Sequence, residues 1–107
     1  MNFIYDIYRK NRGNYSRFML LHCTNCASLL ALYQKDGPGP LKRLYKDRIR
    51  YSVNAREVEN HLVCGSCRSE LGISYNYEKE SRPAFKLNPT VIKKQIVSRK
   101  YTDEYFS

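Results

Sequence analysis

The sequence predicts a small α+β domain, mainly antiparallel β-sheet with one or two short helices, in a chain of 107 residues. Three observations carry that prediction. Apolar runs are short and bounded by turn residues, one segment alternates strictly with period two, and two Cys-x-x-Cys pairs stand far apart in the chain. A single domain spanning 1–107 is expected, because a chain of this length builds one modest core that gains considerably from a cross-link or a metal.

Residues 1–14 mix aromatic side chains with Arg9, Lys10, Arg12 and Gly13 and read as an arm or edge element. "RFMLLHC" and "SLLALYQ" flank the first cysteine pair and suit two strands meeting at a knuckle. "SLLALY" alone fits a helix equally, and the flanking turn residues favour the strand. Residues 36–40, "DGPGP", break the chain, and Pro40 suits the first position of a helix over 41–50, where its missing N–H would be unpaired anyway. At about 100° per residue, Leu41, Leu44, Tyr45 and Ile49 share one arc of that helix. Lys42, Arg43, Lys46 and Arg50 share the other. Arg48 falls among the apolar residues, so it must snorkel, pair with a carboxylate, or belong to a face that docks on a partner.

"SVNAREVENHLV" fits a loop, a short helix or an irregular strand. "ISYNYEK" alternates, with Ile73, Tyr75 and Tyr77 on one face, and "ESRP" turns it back toward "AFKL" as a hairpin. "NPTVIKKQIV" either opens a short helix at Pro89 or continues the sheet, and residues 98–107 read as a polar tail containing aromatics. No internal repeat beyond the paired knuckles is evident.

Cys23, Cys26, Cys64 and Cys67 are the strongest signal. A two-residue spacer lets one tight turn present both sulfurs to a tetrahedral ion, so two such turns supply a complete set of thiolates. Four sulfurs describe a closed structural site, and one zinc ion is the expected cofactor, with iron the less favoured metal. Such an ion stabilises small folds by roughly 10–16 kcal/mol, as much as a whole domain's stability. Gly65 and Asn25 are expected to supply unusual backbone torsions in the turns. His22 and His61 lie close in sequence but are superfluous to four thiolates, and Glu57 and Glu59 read as solvated side chains.

The two knuckles "CTNC" and "CGSC", each followed by short strands such as "SLLALY" and "ISYNY", resemble the zinc-ribbon superfamily over roughly residues 18–88. "YQKDGPGPLKRLY" is similar to a segment of small bacterial zinc-ribbon proteins. The resemblance implies nucleic-acid binding or a place in a transcription or translation assembly. Rubredoxins resemble the chain too, but neither turn has their Cys-Pro-x-Cys-Gly form, Trp is absent, and the charge is opposite to their acidic balance. "NHLVCGSC" is similar to the end of HNH nucleases. Between Cys26 and Cys64, however, His61 is the sole histidine, so that family's catalytic set is missing.

Nineteen Lys and Arg against ten Asp and Glu give a net charge of +9, which favours polyanionic partners. The longest apolar stretches, "FMLL" and "LLALY", cannot span a bilayer, and the first ten residues lack an apolar run of signal-peptide length, so a cytoplasmic location without membrane partners is expected. Paired cysteines in that reducing compartment point to metal rather than disulfides. The expected role is a non-catalytic zinc-ribbon binding module directed to RNA or the ribosome, with DNA a second candidate, contacted through Lys42, Arg43, Lys46 and Arg50. The alternatives are a protein-interaction subunit of a larger assembly and a rubredoxin-like iron electron carrier.

Overall fold

The computed structural model describes every residue except Pro89 and Ser107. Helix α1 (Ile7–Asn11) leads into a hairpin of β1 (Ser16–Cys23) and β2 (Leu29–Asp36). Next come β3 (Arg43–Tyr45), a 3₁₀ turn (Lys46–Arg48), β4 (Ile49–Ser52), β5 (Ala55–Val58) and β6 (His61–Cys64). Then β7 (Glu70–Tyr77), a second 3₁₀ turn (Glu78–Glu80), β8 (Arg82–Leu87), β9 (Ile92–Val97) and α2 (Arg99–Tyr105) complete the described chain. The strands form a four-stranded sheet, β4-β2-β1-β9, and a five-stranded sheet, β3-β8-β7-β6-β5, all pairs antiparallel. The expected mainly antiparallel α+β class is what the chain adopts.

The apolar core lies between the sheets. Met19, Leu21, Leu30 and Tyr33 from one meet Leu44, Leu62, Leu71 and Phe85 from the other. Phe18, Leu20 and Leu32 point the opposite way, off the outer face of the four-stranded sheet, where Phe3, Tyr101 and Phe106 cover them. That sheet is thus buried on both faces, which explains why "FMLL" is continuously apolar instead of alternating. Residues 1–14 and 98–106 carry the two helices, and Phe3, Tyr101 and Phe106 from these segments pack on this face. Phe3 stacks on Phe18 at 4.4 Å, and Ile4 N–H donates to Gln34 Oε1 at 2.7 Å. Each helix is capped by its own sequence: the Asp6 carboxylate accepts from Arg9 N–H, and the Ser98 hydroxyl accepts from Tyr101 N–H.

The expected helix over 41–50 does not form. β3 pairs with β8 in one sheet and β4 pairs with β2 in the other, so this segment crosses between the sheets. Leu44 of β3 joins the core and Ile49 of β4 packs against it, while Tyr45, also in β3, is buried beside Tyr77 and Arg82. The deciding residue is Arg48, 1% exposed, whose guanidinium donates to Asp36 at 2.8 Å and to both oxygens of Asp6 at 2.6 and 3.0 Å. A ten-residue helix could not bury that charge against β2 and the α1 cap at once. Arg82, 2% exposed, forms the companion knot: it pairs with Asp47 at 2.8 Å and lies between the rings of Tyr8 and Tyr45.

The segment "SVNAREVENHLV" is a hairpin of β5 and β6. Its two loop residues, Glu59 and Asn60, have φ of 48° and 69°, as a type I′ turn requires. The "ISYNY" and "AFKL" hairpin forms as expected, with Ile73 opposite Lys86 and Tyr75 opposite Ala84. The choice at Pro89 lies outside the described residues, and Ile92–Val97 continues the sheet beside β1.

Replacing Arg48 by Leu leaves the Asp36 carboxylate buried without its cation, and a loss of about 3–5 kcal/mol is expected in chemical denaturation. The ion pairs also fix a response to acid. Hydrogen bonding from Arg48 holds the Asp6 pKa below its ordinary value, and Arg12 does the same for Glu80. A carboxyl group with a lowered folded-state pKa stabilises the fold above its unfolded value, and that contribution is lost as pH falls through the folded one. Stability should therefore drop below about pH 4, and Asp6→Asn should make that drop shallower in denaturation curves recorded across the range.

Candidate metal centre

β1 ends on Cys23 and β6 ends on Cys64, so each sheet delivers a cysteine at the same edge of the core. The chain then turns through the spacer and places Cys26 or Cys67 nearer solvent. All four sulfurs lie within 4.8 Å of one another, and the two pairs that cross between sheets, Cys23 with Cys67 and Cys26 with Cys64, are each 3.6 Å apart. Metal–sulfur bonds of about 2.3 Å in a tetrahedron place sulfurs roughly 3.8 Å apart, so the cluster fits one ion. Every donor is a thiol, which leaves no position for water or substrate.

The two turns are built alike. Cys23 N–H donates to Ser28 O at 2.9 Å and Ala27 N–H to Cys23 O at 2.7 Å; Cys64 N–H donates to Ser69 O and Arg68 N–H to Cys64 O, each at 3.0 Å. The residue after the second cysteine, Ala27 or Arg68, takes the left-handed conformation at φ 64° in both. Adding 41 to a residue number carries "LHCTNCASLL" onto "LVCGSCRSEL", so both turns read L-x-C-x-x-C-x-S-x-L. The four leucines, Leu21, Leu30, Leu62 and Leu71, are all buried. The same shift maps the bulge between Leu21 and His22 onto that between Leu62 and Val63. The donors Thr24 and Gly65 also correspond under it, the first N–H bonding Val91 O and the second Asn54 O. The cluster therefore sits on an approximate two-fold axis, and the repeat, including the serine two residues past each pair, is the signal that sequence reasoning passed over.

Gly65 and Asn25 serve for reasons other than those expected. Neither is left-handed. A Cβ at Gly65 would come within 2.2 Å of Asn54 Oδ1 and displace that side chain, whose Nδ2 donates to Ser66 Oγ at 2.7 Å. The Asn25 side chain reaches across to Cys67 and, with Ser69, brings that thiol down to about 5. Ser28 lowers Cys26 in the same way. Burial pushes Cys23 up to about 11 despite N–H donors from Cys26 and Asn25, so a cation bound there must displace its proton. His22 and His61 are not in the cluster, and His61 Nδ1 lies 2.7 Å from Glu70 Oε1.

The four basic residues expected to share a helix face are dispersed by the loss of that helix. Lys42 is exposed in the connection before β3. Arg43 stacks on Tyr77, with its Cζ 4.2 Å from the ring centroid, and donates to Tyr75 Oη at 3.0 Å. Lys46 is engaged by Glu57 at 2.9 Å and Ser74 at 2.7 Å, and Arg50 donates to Asn2 O and Gln34 Oε1 on the four-stranded sheet.

No protein-family model, curated protein or solved structure matches this chain. What the geometry establishes is a β-rich domain with a four-cysteine cluster able to hold a metal ion, consistent with a zinc-ribbon-like fold. No helix among the described residues is long and apolar enough to cross a membrane.

Protein purified without added metal should carry one ion per chain by elemental analysis. Cys23→Ser or Cys64→Ser should abolish that stoichiometry and the cooperative unfolding transition, since a structural ion of this type contributes roughly 10–16 kcal/mol.

Proposed function

We propose that the protein is a non-catalytic, zinc-stabilised binding module whose partner is single-stranded RNA, free or within a nucleoprotein assembly. The carrying observation is the closed thiolate cluster at the junction of the two sheets, a place suited to holding binding surfaces in register rather than to turnover. Zinc is the metal of this reading because tetrathiolate sites favour it and the chain carries no feature of an electron carrier beyond the sulfurs themselves.

The RNA reading draws on where charge and aromatic side chains fall. Asp6, Asp36, Asp47 and Glu80 are committed to buried or half-buried arginines, so these four carboxylates do not offset the exposed lysines. Lys42, Lys86, Lys93 and Lys94 are exposed and form no ion pair among the described residues. Ile73, Tyr75 and Tyr77 alternate along β7 on the face opposite the core, with Lys86 facing Ile73 and Arg43 facing Lys86. Half-exposed tyrosines beside cations are the surface on which unpaired bases stack. Duplex DNA offers its bases less readily, which is why RNA is preferred.

Zinc is expected by metal analysis, and a red, redox-active preparation would make the protein an iron carrier instead. Titration with a short single-stranded RNA should give log affinity falling linearly with log salt. The Lys42→Ala, Lys93→Ala, Lys94→Ala triple variant should flatten that slope by about 2, from about 0.7 per phosphate contact on single strands. Tyr75→Ala should weaken binding by about 1–3 kcal/mol. Absence of RNA binding at low salt overturns the reading.

A further inference from the structure

Beneath the loop of residues 37–40 lies a recess of about 300 Å³, at the small end of the ~300–1,000 Å³ range of small-molecule sites. Its walls carry Arg12, Lys35, Lys42, Arg43 and Arg48 against one carboxylate, Asp36. Arg12 is neutralised by Glu80, and Arg48 by Asp36 and Asp6. The remaining three cations have no carboxylate partner among the described residues.

Each of the three plays a different part. Lys35 is buried, and its Nζ donates to the backbone carbonyls of Asp36, Gly37 and Pro38 at 3.1, 3.0 and 3.4 Å. All its protons are used to hold the loop, so it contributes charge without a free donor. Arg43 is fixed by the Tyr77 ring and Tyr75 Oη, and its Nη2 makes no hydrogen bond among the described residues. Lys42, exposed at the rim, is free to move onto a ligand.

Two further observations show that the region is short of negative charge. Arg17 stands opposite Lys35 in the β1–β2 register, and its Nε is buried without a hydrogen-bond partner. Burial lowers the Lys35 pKa, and the charges of Arg17 and Arg12 lower it further. An anion seated in the recess offsets this mutual repulsion. The loop itself cannot cradle that anion, since Pro38 and Pro40 remove two of its four N–H groups, so recognition falls to side chains.

We propose that the recess binds a phosphate monoester, carried either by a free mononucleotide or by the 5′ end of an RNA, with Arg43 and Lys42 as its direct ligands and Lys35 as a fixed background charge. A dianion matches the unneutralised cations better than a phosphodiester does, and the volume admits little beyond a nucleotide. The RNA end as source rests on the functional reading above; the phosphate chemistry of the recess does not.

The test uses the metal-loaded full chain and AMP, with adenosine as the uncharged control. AMP, and not adenosine, should shift the Gly37 and Gly39 amide and Arg43 side-chain NMR signals, and inorganic phosphate should compete. Lys42→Ala with Arg43→Gln should weaken AMP at least about tenfold, as expected for lost charge-assisted bonds. Lys79→Ala with Lys100→Ala, which removes equal charge elsewhere, should not. If the first pair perturbs folding, Lys42→Ala alone carries the comparison. One RNA is then compared with and without its 5′-phosphate. A preference for the phosphorylated form that the variant abolishes identifies the RNA end, and AMP binding with no such preference identifies the free nucleotide; both support the recess. AMP binding without any RNA binding removes the functional reading and leaves the recess standing. No shift with AMP or phosphate up to about 10 mM, weaker than roughly 3 kcal/mol of binding, together with equal affinity for the two RNAs, overturns the recess alone.

Discussion

Four sulfur atoms, two from the end of each sheet, meet where no strand ladder joins the sheets. A β-sheet stabilises itself along its own hydrogen bonds, but two sheets facing each other are held only by what lies between them. Here that space is filled by leucines, Tyr33 and Phe85, a small core for the area it must secure. A metal ion held by the four sulfurs would fix the separation and angle of the sheets at one end, and the apolar packing would then have one arrangement to satisfy. The opposite end is closed differently. Arg48 and Arg82 with their carboxylates lie about one strand length away, roughly 26 Å for eight residues. Thiolates and ion pairs thus bracket the core, and both kinds of fastening come from residues that would be costly to bury unpartnered.

This bracket also sets what the surface can offer. Burial takes in Arg9, Lys35, Arg48 and Arg82 but, among the carboxylates, only Asp36, so the exterior keeps a smaller share of the positive charge than composition alone suggests. The arginine pairs cost desolvation and return little net stability; their greater effect is to fix the crossing segment and the loop before it, and with them the geometry around Lys35, Lys42 and Arg43.

The cysteine cluster, the first hairpin and the "ISYNY" hairpin were legible in the sequence because each rests on local spacing: two residues between sulfurs, turn residues at the ends of apolar runs, strict alternation along β7. The segment 41–50 was not. Its apolar residues recur at helical intervals by coincidence, since Leu41 lies in the connection before β3, Leu44 and Tyr45 in β3, and Ile49 in β4 of the other sheet. Arg48 was the visible contradiction, a charge in the supposed apolar arc, and its partners Asp6 and Asp36 are too distant in sequence for spacing to reveal. The turn at Glu59 and Asn60 was hidden because glutamate seldom adopts positive φ. The repeated serine beyond each cysteine pair could have been read directly, and it predicts the shared hydrogen bonds of the two turns.

The approximate two-fold relation holds for the sheets but not for the path of the chain through them. The strand beside β6 is β5, which immediately precedes it, whereas the equivalent strand beside β1 is β9, which pairs Phe18 with Val97. One half of the molecule is assembled from neighbours and the other from opposite ends of the polypeptide. The second kind of closure spans about three quarters of the sequence and bears the larger entropy of loop closure, so it belongs to the late, slow part of folding. On a ribosome the first cysteine pair therefore waits for the last described strand, β9, before its own strand has both neighbours.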